Sequence, residues 1–138
     1  MPAVTVPEMP FGPDYWQGGQ YRTGALESAT FAAGDLSPLL GPFFVCYDNT
    51  GVTPATLTTR TATQMFADDP RAVVGKSYLL AVRNSSSGAN TATIAAGTGV
   101  TLTGTMTIAQ NVTRLFVVTY NSRVALTIQS MGILAAGA

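Results

Sequence analysis

Two carboxylates stand side by side at Asp68-Asp69, just before Pro70. Paired carboxylates can do general acid–base work or hold Ca²⁺. Adjacent acids ahead of a proline also mark a solvated turn, because Asp accepts local backbone hydrogen bonds and proline ends a helix. The solvated turn is the preferred reading here, and Asp48-Asn49 reads the same way. The other acids, Glu8, Asp14, Glu27 and Asp35, are scattered, and no spacing proposes a glycosidase-like pair. The chain has no histidine, which excludes Ser-His-Asp and Cys-His arrangements. Cys46 is the sole cysteine, so no internal disulfide can form. It lies in the apolar run FFVCYD, where a buried, inert thiol is expected. Neither HExxH nor CxxC occurs, which argues against zinc. Gly97-Thr98-Gly99 lacks the lysine and the following helix of a phosphate loop. No catalytic, cofactor-binding or metal-ligating residue is therefore expected, and the chain reads as a protein without enzymatic activity.

The composition points to contact rather than chemistry. The chain has 138 residues, enough for one domain with a real core. Charged residues make up only 10% of it, against roughly 25% in ordinary soluble domains. Formal net charge is zero. Weak like-charge repulsion lets apolar surface touch, so a partner-rich protein is favoured over a compact monomer coated in Ser and Thr. The seven Lys and Arg form no basic stripe for phosphates, so nucleic acid is not an expected partner. No apolar run approaches the roughly 18 residues of a membrane helix, and the N-terminus lacks the early basic residues of a signal peptide. Cytoplasmic synthesis, with any release by lysis, is the corresponding expectation.

The elements that would carry such contacts follow from periodicity. Phe43 to Tyr47 and Thr53 to Thr59 read as strands, separated by a turn at 48–51. Thr61 to Ala67 reads as a short helix. Ala62, Met65 and Phe66 share one face, Thr61 is the cap, and Pro70 forbids continuation. From Ser77 the pattern is all β. Tyr78, Leu80 and Val82 share a face, and Thr91 to Ala95 is a strand. In the ribbon GVTLTGTMTIA, Val100, Leu102, Met106 and Ile108 point inward while Thr101, Thr103, Thr105 and Thr107 point outward. Gly104 interrupts that ribbon, at a bulge or a close backbone approach. Val112 to Tyr120 is apolar on both faces and should be central. Asn121-Ser122 is expected to turn into a last strand in which Val124, Leu126 and Ile128 alternate with Ala125, Thr127 and Gln129, and Met131 to Ala138 reads as a small-residue tail. Short strands with short turns predict an all-β fold, an antiparallel β-sandwich or jelly roll with one short helix.

Residues 1–24 read as an extended N-terminal arm ahead of a β-sandwich domain at 25–138. Pro2, Pro7, Pro10 and Pro13 keep the arm out of helix and sheet interiors. Phe11, Tyr15, Trp16 and Tyr21 are its candidate partner-interface residues, since aromatic anchors carry interface energy. They dock either on their own domain or on a neighbouring subunit.

The order of elements from Thr61 onward has a likeness. A short Thr/Ala helix precedes VGKSYLLAVRN, a Ser-rich turn, NTATIAAGTGVTLTGTMTIA and a closing hairpin. Over residues 61–131, about half the chain, this resembles the capsid decoration, or cement, proteins of tailed bacteriophages with a jelly-roll fold. The resemblance implies a structural virion protein on the capsid exterior, assembled in the host cytoplasm. Its partners would be the major capsid protein and itself, as a homodimer or homotrimer, and it implies no catalytic residues. Similar modules occur in phage fibres. The alternative is therefore a receptor- or carbohydrate-binding β-sandwich, in which Tyr47, Tyr78 or Tyr120 would form the aromatic platform.

Overall fold

The computed structural model describes residues 20–25, 28–38, 44–51 and 54–134. Half of these lie in strands. In chain order the elements are β1 (Gln20–Gly24), β2 (Phe44–Asn49), β3 (Ala55–Thr58), α1 (Ala62–Asp68), β4 (Ser77–Asn84), β5 (Ala92–Ala95), β6 (Val100–Thr103), β7 (Thr107–Ile108), β8 (Val112–Ser122) and β9 (Ala125–Ile133). Six strands form one sheet in the order β1-β2-β4-β8-β9-β6, and three form another in the order β3-β5-β7.

The all-β expectation and the single helix hold among the described residues. The antiparallel expectation does not, because both sheets are mixed. β1 with β2, β2 with β4, β3 with β5 and β6 with β9 run parallel. Only β4–β8, β8–β9 and β5–β7 are antiparallel. Apolar/Thr alternation fixes which side chains face inward. It carries no information on a neighbouring strand's direction, which the connections decide. The link from β2 to β4 contains β3 and α1, a long crossover that returns the chain parallel.

One apolar cluster draws on both sheets and the helix. It includes Val45, Leu80, Val82, Phe116, Val118, Leu126 and Ile128 from the larger sheet, Leu57, Ile94 and Ile108 from the smaller one, and Met65 from α1. Phe31 and Leu36, from the link between β1 and β2, also belong to it. The helix forms where expected, with a capping box: the Thr61 hydroxyl accepts from the Gln64 amide, and the Gln64 side chain accepts from the Thr61 amide.

The threonine ribbon is one strand only in sequence. Its first half, β6, joins the larger sheet and its second half, β7, the smaller one. Gly104 stands at the change of sheet with φ of +87°, where a Cβ would lie 3.1 Å from that of Ser130. A β-branched residue there would be strained and crowded at once. Two boundaries also move. The β8–β9 turn falls at Arg123-Val124 rather than at Asn121-Ser122, and β9 runs on through Met131 to Ile133. The last residues of the predicted arm, Gln20–Gly24, form the edge strand β1.

Candidate functional site

Asp68 and Asp69 do not form a working pair. Asp68, the last residue of α1, receives Arg60 Nε at 2.8 Å. That guanidinium offsets an acid at the negative end of a helix. Asp69 is not solvated, as the sequence reading had it: only 4% of it is exposed. Its Oδ2 accepts from Lys76 Nζ at 3.0 Å and from Tyr120 Oη at 2.9 Å, and its Oδ1 accepts from the Arg71 amide at 2.8 Å. The carboxylate ties the turn after the helix to the end of β8. Tyr78 lies beside it, its hydroxyl donating to the Leu36 carbonyl at 2.6 Å and its ring 5.9 Å from that of Tyr120. Burial pushes both phenols above their usual value.

Asp48 is likewise inside a strand and not in a turn. It is 7% exposed, accepting from Tyr21 Oη at 2.8 Å and from Ser85 Oγ at 2.5 Å. Nearby, Asn84 Nδ2 donates to the carbonyls of Asn90 and Ile108. Both buried acids were misread for one reason. Each is covered by strands distant in sequence: Tyr21 and Ser85 reach Asp48 from 27 and 37 residues away and Tyr120 reaches Asp69 from 51, so no local signal announces the burial. Each cluster is closed by its own hydrogen bonds and reads as a staple. Among the described residues no group of acids, Cys or His could hold a metal ion. Cys46 is half-buried on β2, and burial raises its thiol pKa.

Of the aromatic anchors, Phe11, Tyr15 and Trp16 lie outside the described residues. Tyr21 is on β1, 62% exposed, with its hydroxyl on Asp48. That hydrogen bond raises the phenol above its usual value. Tyr47, Tyr78 and Tyr120 are buried in the core, so none of the three is free to stack on a sugar.

The surface with the strongest claim to function is the outer face of the six-stranded sheet. Registration sets it out in rows. One row is Phe44, Leu79, Val117 and Gln129; the next is Tyr21, Cys46, Ala81 and Leu115. At one end follow Ser77, Thr119, Thr127 and Thr101, where Ser77 and Thr119 share a 2.7 Å hydrogen bond. At the other end lie Asp48, Arg83 and Thr113. Asp48 and Arg83 are neighbours in this register, so the face is apolar in the middle and hydroxyl-rich beside it, with its charges confined to one end. A shallow, open hollow of about 240 Å³ sits in it, lined by Ser77, Tyr78, Leu79 and Val117. Of this surface, sequence reasoning offered only Tyr21 as an interface residue; it placed Thr101 outward, but expected Cys46 buried and Asp48 in a turn. The signal was present in Val112–Tyr120, whose second apolar face was read as core and is instead half-exposed at Leu115 and Val117.

Comparison with protein-family models, with curated proteins and with solved structures finds no match to this chain.

Proposed function

We propose that this chain is a structural cement protein of a virion. In this reading it binds the outside of a capsid and bridges neighbouring major capsid subunits. The observation that carries the reading is the outer face of the six-stranded sheet, an ordered apolar and hydroxyl surface with charge only at one end. Such a face suits a fixed protein partner, since few charges need desolvating when it is covered. The likeness over residues 61–131 to phage decoration proteins points the same way. On this reading the two sheets are the layers of a β-sandwich, a relative of the jelly roll with several strand pairs turned parallel.

The physical task is modest. A clip that binds the assembled shell and not free subunits stabilises the shell by mass action. Its affinity per site can be weak, because many copies on a symmetric lattice, linked to one another, sum by multivalency. A rigid β-rich body suits the role, since little order is lost on binding.

The test mixes the purified protein with procapsids and with expanded capsids stripped of decoration. Binding to expanded shells alone, with a rise in their melting temperature, supports the proposal. A protein that ignores both shells, or binds without raising the melting temperature, sinks it.

A further inference from the structure

β9 outruns its neighbour. β6 pairs with it from Leu126 to Gln129 and then leaves for the other sheet at Gly104, while β9 continues to Ile133 along β8. The far side of β9 beyond Ser130 is therefore a sheet edge. The hydrogen-bond alternation shows what that edge presents. The Leu134 amide donates to the Thr113 carbonyl at 2.8 Å, which makes Arg114↔Ile133 a non-hydrogen-bonded pair of the β8–β9 ladder. The N–H and C=O of Ile133 must then point away from β8, outward. The irregularity opposite Leu115/Phe116 makes this so: the extra residue, Met131, shifts the outward-facing parity from Ser130 to Ile133.

Side chains mark the same place. Of the eight large apolar side chains exposed among the described residues, three are Met131 at 57%, Ile133 at 53% and Leu134 at 47%. Natural sheets guard open edges with charge or proline. From Val124 to the end of the sequence there is neither. The nearest charge, Arg114, is held within the chain by the Thr107 carbonyl at 2.9 Å and Ser130 Oγ at 3.2 Å.

We infer that this edge is a self-association site, where β9 of one copy pairs antiparallel with β9 of a second copy about a two-fold axis at Ile133. A second copy is the occupant that fits the charge pattern. Antiparallel pairing of a strand with itself is two-fold symmetric. An uncharged strand meets its own image without like-charge contact, whereas a charged foreign strand would find no counter-ion here. The pairing gives the outward N–H and C=O of Ile133 their partners and covers three exposed apolar side chains. It leaves the outer sheet faces of both copies free and does not depend on what those faces bind.

Two variants test it, both at an exposed position where the fold should tolerate change. Wild type is expected to sediment as a dimer in the range of tens of micromolar. Ile133→Lys places two ammonium groups opposite each other, beside two Arg114 side chains, and should weaken the dimer by at least about 10-fold. In a Cys46→Ala background, Ile133→Cys should cross-link across the axis under mild oxidation. A hydrogen-bonded antiparallel pair holds its Cα atoms about 5.5 Å apart, within disulfide reach. Val124→Cys, equally exposed in the β8–β9 turn, should not. A monomeric wild type at these concentrations would overturn the inference. So would a dimer indifferent to Ile133→Lys, or cross-linking no faster at Ile133 than at Val124.

Discussion

Asp69 shows how much one side chain can hold together. It is buried, yet it fixes an ammonium and a backbone amide of the link after the helix and a phenol at the end of β8. Removing it strands the others. Asp69→Ala leaves the mostly buried Lys76 charge and the Tyr120 hydroxyl unpaired, and should cost about 3 kcal/mol or more. Tyr120→Phe removes one hydrogen bond and leaves the ion pair intact, so about 1 kcal/mol is expected. Urea unfolding of the three proteins, with unchanged slopes, checks the order. The phenols carry a second prediction. Burial holds Tyr78 and Tyr120 above their usual value and raises Tyr47 to about 12. These groups resist ionisation in the fold but not in the unfolded chain. Their contribution is therefore complete below pH ~10 and drains away above it, as the unfolded chain loses protons first. Stability should hold steady up to about pH 10, then fall by up to about 1.4 kcal/mol per pH unit for each such tyrosine. Unfolding at stepped alkaline pH reads this slope, and Tyr120→Phe should flatten it.

Elements divide into those a local pattern determines and those that distance determines. The helix was legible down to its capping residue, because Thr61, Gln64 and Pro70 act within one or two turns of each other. The inward face of β4, and Leu126 and Ile128 of β9, were legible for the same reason, since period-2 alternation is local, whereas Val124 falls in the turn and is exposed. Strand order was not legible, and neither was the split of the threonine ribbon between sheets, because both depend on what lies across the fold. The burial of Asp48 and Asp69, and the half-exposed face of β8, belong with these. Gly97 sits on the border between the two kinds. Its amide donates to Thr59 Oγ1, and the next residue's carbonyl accepts from Ala62, so this turn seats the start of α1. A Cβ there would lie 2.5 Å from the Thr59 carbonyl oxygen and 2.6 Å from that of Arg60, both backbone. Gly97→Ala should cost about 2 kcal/mol, since only a backbone shift relieves the overlap. Gly75→Ala, with open space around it but φ of +94°, should cost less, and paired thermal melts decide.

At the scale of the molecule, charge is scarce, and the proposed associations rest on apolar burial and backbone pairing. Coulombic contacts weaken with salt, whereas strand pairing and apolar burial do not. The self-association inferred at β9 should therefore change little between low salt and roughly 0.5 M sodium chloride. Sedimentation at both ionic strengths tests this, and a steep salt dependence would place charged groups in the interface. The two proposed surfaces also differ in kind. The outer sheet face offers side chains, while the β9 edge offers main chain, so one copy can engage both partners at once.

The mixed topology has a consequence in time. The β8–β9 hairpin is the one long strand pair whose members are neighbours in sequence, joined by Arg123-Val124 alone. The parallel pairs must wait for loops that span whole elements, and such closures are slow. A folding chain would thus hold a nearly finished hairpin while the seat beside β9 is still empty. During that interval the whole outward side of β9 is an open template, from Leu126 to Ile133. Only the arrival of β6 narrows it to the short stretch left in the native protein.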